Sequence, residues 1–133
     1  MGLSNNAQAY LEAFYSGPKL QDLTAQQVRE AFAAAPPVEV EIPEVAKVEN
    51  RTIPVKDGEI NIRIYTPSGE GPFSLFVYYH GGGWVIGNLD TSDAGCRLIA
   101  EQTKRVVVSV DYRLAPEFKF PNNFSTLDVS SST

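Results

Sequence analysis

The stretch Leu75-Phe76-Val77-Tyr78-Tyr79-His80-Gly81-Gly82-Gly83-Trp84 decides the fold. Its first five residues are apolar at every position, which predicts a strand inside a sheet with helices over both faces. The run breaks at once into three successive glycines and a loop that lasts to Gly87. Asp90 or Thr91 then offers a cap for a helix reaching about Lys104, with Ala94, Leu98 and Ile99 expected to face inward. Val106-Val107-Val108-Ser109-Val110 is a second apolar strand. Strand, helix, strand in this order predicts a right-handed parallel crossover.

Working outward, Glu59 to Tyr65 alternates, with Ile60, Ile62 and Ile64 on one face, and Val48 to Val55 is a weaker strand. Asp57-Gly58 between them is a turn signal, so the pair reads as a hairpin. Pro37 to Glu44 has no period and reads as a linker. Before it lie two helices. Ser4 caps one that carries Ala7, Tyr10, Leu11 and Phe14 on a stripe and stops at Gly17-Pro18. Thr24 and Gln27 form a capping box for the other, with Val28, Ala31 and Phe32 as its apolar face, and Pro36-Pro37 ends it. After a loop holding Pro116 and Pro121, the tail from Ser125 is Ser/Thr-rich without a period and reads as disordered or unrelated. The expected segments are 1–45, helices and linker; 46–123, a hairpin entering an α/β sheet; and 124–133, the tail.

Among the 133 residues, 43% are hydrophobic and 20% charged, the balance of a globular chain. A net charge of −5 argues against nucleic-acid and anionic-membrane partners, which favour a basic face. No apolar run approaches a bilayer span and no signal peptide is visible, so a cytoplasmic location is expected. Cys96 is the single cysteine, too few for an intrachain disulfide or a zinc cluster, and reads as a packing residue. No metal or cofactor is expected.

A glycine-rich loop after a buried strand serves three chemistries. A Walker-type phosphate loop requires a lysine, and none occurs between Pro72 and Arg97. A dinucleotide fingerprint requires a third glycine where Ile86 stands, and a helix that starts at once. The remaining chemistry is acyl transfer, where successive backbone N–H groups stabilise the oxyanion of a tetrahedral intermediate. His80-Gly81-Gly82-Gly83 has the form of that loop in lipases and esterases. The plain alternative is a tight turn that the glycines merely permit.

The blocks His80-Gly81-Gly82-Gly83-Trp84-Val85-Ile86-Gly87 and Val108-Ser109-Val110-Asp111-Tyr112-Arg113-Leu114-Ala115-Pro116-Glu117, followed by Phe120-Pro121, resemble the bacterial hormone-sensitive-lipase-like carboxylesterases of the α/β-hydrolase fold. The resemblance runs from about residue 4 to 124. It implies that Gly82 and Gly83 lend N–H groups to an oxyanion hole. It also implies that His80 and Gly81 support the loop, with His80 not the catalytic base, and that the Asp111–Glu117 block packs beside the site. The N-terminal helices look like the family's cap. Trp84, Tyr10 and Phe14 are candidates for lining the acyl pocket, or for ordinary packing. The implied substrate is a small acyl ester.

The resemblance has a limit. No glycine follows Gly95 and no histidine follows His80, so the family's G-x-S-x-G elbow and late histidine are not among these residues. The expectation is the front half of the fold, inactive by itself. An apolar strand edge would be left open to self-association or to a complementing C-terminal half. A non-catalytic acyl- or carboxylate-binding module is the alternative.

Overall fold

The computed structural model describes residues 2–35, 41–56 and 58–121. The chain divides into two units at the Pro36–Pro37 junction. In the first, α1 (Asn5–Ser16) starts at Ser4, whose hydroxyl accepts from the Ala7 N–H at 3.3 Å. A single 3-10 turn, Leu20–Asp22, follows, which the sequence pattern did not predict. The capping box then opens α2 (Ala25–Ala34): Thr24 Oγ1 accepts from the Gln27 N–H at 3.2 Å, and the Thr24 N–H donates to Gln27 Oε1 at 2.9 Å. Each cap satisfies N–H groups that a helix start leaves without partners.

The second unit is a four-stranded sheet. Strand β1 (Lys47–Val55) pairs antiparallel with β2 (Gly58–Thr66) in one unbroken register from Lys47↔Thr66 to Val55↔Gly58. Pro54, which lacks an N–H, is tolerated because β1 is an edge strand. Next come β3 (Leu75–Tyr79), α3 (Asp93–Thr103) and β4 (Val106–Asp111). The order across the sheet is β1-β2-β4-β3. Strand β4 runs parallel to β3 (Val77↔Val108) and antiparallel to β2 (Ile62↔Val110), so the predicted crossover is joined to the hairpin through β4.

Alternation along β2 and β4 divides the core between two faces. One holds Ile60, Ile62, Val110 and Tyr112, with Ile53, Val55, Ile64, Val108 and Leu114 against them. The other holds Tyr65, Val107, Cys96 and Ala100, with Val45, Val48, Phe76, Tyr78 and Ile99. Helix α3 covers the second face. Cys96 is fully buried there, and burial pushes its thiol pKa up, the behaviour of a packing residue.

Three expectations require correction. The cap residue of α3 is Ser92, not Asp90 or Thr91. Thr91 is held in the preceding turn, where its hydroxyl accepts from the Asn88 N–H at 3.0 Å and Asn88 Oδ1 accepts from the Asp90 and Thr91 N–H groups at 2.9 Å. The buried face of α3 is Cys96 and Ala100, with Ile99 at its margin, while Leu98 is 44% exposed. Small side chains one turn apart let the helix approach the sheet closely. Asp93 fixes its rotation by accepting from Tyr65 Oη at 2.8 Å, Arg63 Nη1 at 3.1 Å and Arg97 Nε at 2.7 Å. Finally, β3 is not covered on both faces. Phe76 and Tyr78 face the α3 side, whereas Leu75, Val77 and Tyr79 are 63%, 43% and 40% exposed at the end of the sheet. The Asp57 turn position, part of the linker and the tail from residue 122 lie outside the described residues.

Candidate active-site loop

The loop leaves β3 at His80 and reaches the turn before α3. His80 is 5% exposed. Its Nδ1 lies 2.8 Å from the Gly81 carbonyl oxygen, an acceptor, so Nδ1 carries the proton. Nε2 is buried and has no hydrogen-bond partner among the described residues. The imidazole stacks on the Tyr112 ring, with centroids 4.4 Å apart and planes at 19°. The Tyr112 hydroxyl donates to the His80 carbonyl at 2.7 Å. Burial raises the Tyr112 pKa, which keeps the hydroxyl protonated as a donor.

Beyond His80 the backbone turns sharply. The Val85 and Ile86 N–H groups both donate to the Gly82 carbonyl, at 3.1 and 3.0 Å. Gly82 has φ 134°, and a Cβ there would collide with the Ile86 carbonyl oxygen, so the turn requires glycine. Gly87 has φ 98°, and a Cβ would strike the His80 ring. Trp84 also has a positive φ, 61°, an uncommon conformation for a bulky residue. Its carbonyl accepts from the Ala115 N–H at 2.8 Å, and its ring is exposed.

Within this frame the carbonyls of His80, Gly81, Gly82 and Trp84 are all engaged. Among the described residues, the N–H groups of Gly81, Gly82 and Gly83 take no part in the loop's backbone hydrogen bonds. A Cβ at Gly81 or Gly83 would meet open space. Adjacent unengaged N–H groups beside open space can donate to an anionic oxygen. Asp111, at the end of β4, is the nearby carboxyl of note: burial raises its pKa against the lowering influence of His80 and of a hydrogen bond from Asn61.

The structure therefore brings His80, Gly81, Gly82, Gly83 and Trp84 into one loop. Tyr10 and Phe14 belong to the helical unit, where their rings stack at 6.3 Å. The resemblance placed the Asp111–Glu117 block beside the site, but the hydrogen bonds of Tyr112 and Ala115 to the loop went unforeseen, because contacts across about 30 residues leave no local pattern. Among the described residues, no group of His, Cys, Asp and Glu could hold a metal ion. Among the described residues, no helix is long and apolar enough to cross a membrane.

Residues 76–127 match a family model described as an alpha/beta hydrolase fold. The carboxylic ester hydrolase LipN of Mycobacterium tuberculosis is 53% identical over 74 residues, covering 56% of this chain and 20% of that protein. An arylesterase of Saccharolobus solfataricus is 34% identical over 128 residues, covering 91% of this chain and 40% of its own. An ester hydrolase from the metagenome of Lake Arreo, solved with a bipyridine phosphonate derivative, superposes with a TM-score of 0.81 at 36% identity, over 95% of this chain and 42% of that one. The chain thus spans at most about two fifths of the length of these relatives. The chain therefore has the α/β-hydrolase fold, and over most of its own length it is similar to carboxylic ester hydrolases.

Proposed function

We propose that this chain supplies the oxyanion-hole portion of a carboxylic ester hydrolase acting on small acyl esters. The observation that carries this reading is the set of unengaged N–H groups at Gly81–Gly83, in a loop whose carbonyls are tied down. When a hydroxyl oxygen adds to an ester carbonyl, the C=O π electrons move onto oxygen. Donors already aimed at that oxygen stabilise it without reorganising, and removing one typically costs about 3–4 kcal/mol of transition-state stabilisation. Gly82 and Gly83 are the two donors, and His80 and Gly81 hold them. Nucleophile and base come from outside these 133 residues, which contain no G-x-S-x-G and no histidine after His80. By this reading the chain alone does not turn over esters.

The test uses p-nitrophenyl acetate and butyrate with the purified chain, and NMR of its glycine amides during titration with a short-chain phosphonate. The expected result is no turnover, together with shifts at the Gly82 and Gly83 amides. Turnover abolished by a serine-directed inhibitor would refute the inactivity. Glycine amides that ignore the phosphonate would remove the oxyanion hole. The exposed β3 edge favours a second, compatible reading: one half of a split esterase, completed by a polypeptide that carries the elbow serine and histidine. Activity restored by co-expression with such a half would separate it from a purely carboxylate-binding module.

A further inference from the structure

We infer that the segment Tyr112–Ala115 is a splint for the glycine loop, with Tyr112 as a positioning residue for the Gly82 and Gly83 N–H groups. The inference rests on the oxyanion reading above for its purpose, but on separate contacts for its geometry. Two bonds from one short segment seize the loop at both ends. Tyr112 Oη donates to the His80 carbonyl at 2.7 Å, before the glycines, and the Ala115 N–H donates to the Trp84 carbonyl at 2.8 Å, after them. The Tyr112 ring also stacks on His80, whose Nδ1 holds the Gly81 carbonyl.

The segment is itself anchored. Tyr112 belongs to the apolar cluster of Ile60, Ile62 and Val110, and Leu114 packs against that cluster. Arg113 Nη2 donates to the Lys56 carbonyl at 3.1 Å and its guanidinium lies 5.0 Å from the Phe118 ring centre. The splint therefore transmits the rigidity of the sheet to three residues that have no side chains of their own to pack. A glycine run is the most flexible backbone available. Preorganised donors demand the reverse, and that conflict assigns the segment its role.

The test is residue-resolved hydrogen exchange on the full chain, with Val85, Ile86 and Ala115 as reporters because their N–H groups donate to loop carbonyls. In the unsubstituted chain these three amides should open with one common free energy, and clearly different values would overturn the splint whatever happens to any variant. Tyr112→Phe keeps the ring and removes one hydrogen bond. Exchange at the three reporters should rise about tenfold relative to Val107 and Val108, the equilibrium equivalent of about 1.4 kcal/mol. Ile99→Ala, which weakens the core on the α3 face and lies outside both the splint and the loop, should speed reporters and β4 amides together. Equal reporter-to-strand ratios in both variants would overturn the proposal. The phosphonate titration separates the two readings: a rigid loop that Tyr112→Phe loosens, but that binds no phosphonate, sinks the oxyanion hole and leaves the splint standing.

Discussion

At the scale of residues, the glycines of this chain differ in what they do. Gly82 sits at φ 134° with the Ile86 carbonyl where a side chain would begin, while Gly95 lies in α3 with open space around it. Gly95→Ala should therefore stabilise the chain by about 0.5–1 kcal/mol, through helix propensity. Gly82→Ala should destabilise it by about 2 kcal/mol or more, since it adds a backbone collision to an unfavourable φ. Urea midpoints of the two variants check the opposite signs, and equal effects would mean the loop is not built as described. Sequence reading singled out Gly81, Gly82 and Gly83 because their succession is local. It could not rank them, since rank depends on what the fold brings opposite each one.

At the scale of elements, α3 is held to β2 by charge as much as by apolar contact. Burial acts to raise the Asp93 pKa, but hydrogen bonds from Arg97, Tyr65 and Arg63 outweigh it and hold the carboxyl below the usual range. At the other end of the helix, Glu101 accepts from Lys104 and from the side chain and N–H of Ser68, which take its pKa down to about 2. Both groups are depressed in the folded chain, so their stabilisation is present above the ordinary carboxylate values and is lost as pH falls through the folded ones. Stability should decline between about pH 5 and pH 2. Asp93→Asn, which puts an amide donor against two guanidinium groups, should cost about 2 kcal/mol at pH 7 and flatten that decline. Denaturant titrations at a series of pH values measure both. Helical periodicity predicted α3 and placed Ile99 inward, but it put Leu98 on the buried face, which belongs to Cys96 and Ala100. Its period was legible, while its rotation is set by Arg63 and Tyr65, about 30 residues upstream.

At the scale of the whole molecule, the sheet of the described residues ends at β3, whose outer edge pairs with no other described strand, and Leu75, Val77 and Tyr79 are exposed on one face. An apolar strand with a free edge is a template for another chain. The isolated chain should associate as its concentration rises. Val77→Lys, a charge on an exposed site of the edge, should weaken association about tenfold, or about 1.4 kcal/mol, without loss of secondary structure. Sedimentation velocity over a concentration series reads this directly, and a chain that stays monomeric throughout would count against a docking role for β3.

What the amino-acid sequence determined by itself was local: helix caps at Ser4 and Thr24, hairpin alternation around Ile60–Ile64, two apolar strands flanking a helix, and a glycine loop of one chemical type. Each depends on residues a few positions apart, where backbone geometry and side-chain period act directly. The tertiary structure alone decided that β4 lies between β2 and β3, that β3 is covered on one face, that Asp93 orients α3, and that Tyr112 and Ala115 grip the glycine loop at both ends. Those contacts join residues about 30 positions apart or more, and only the chain's path through space brings them together.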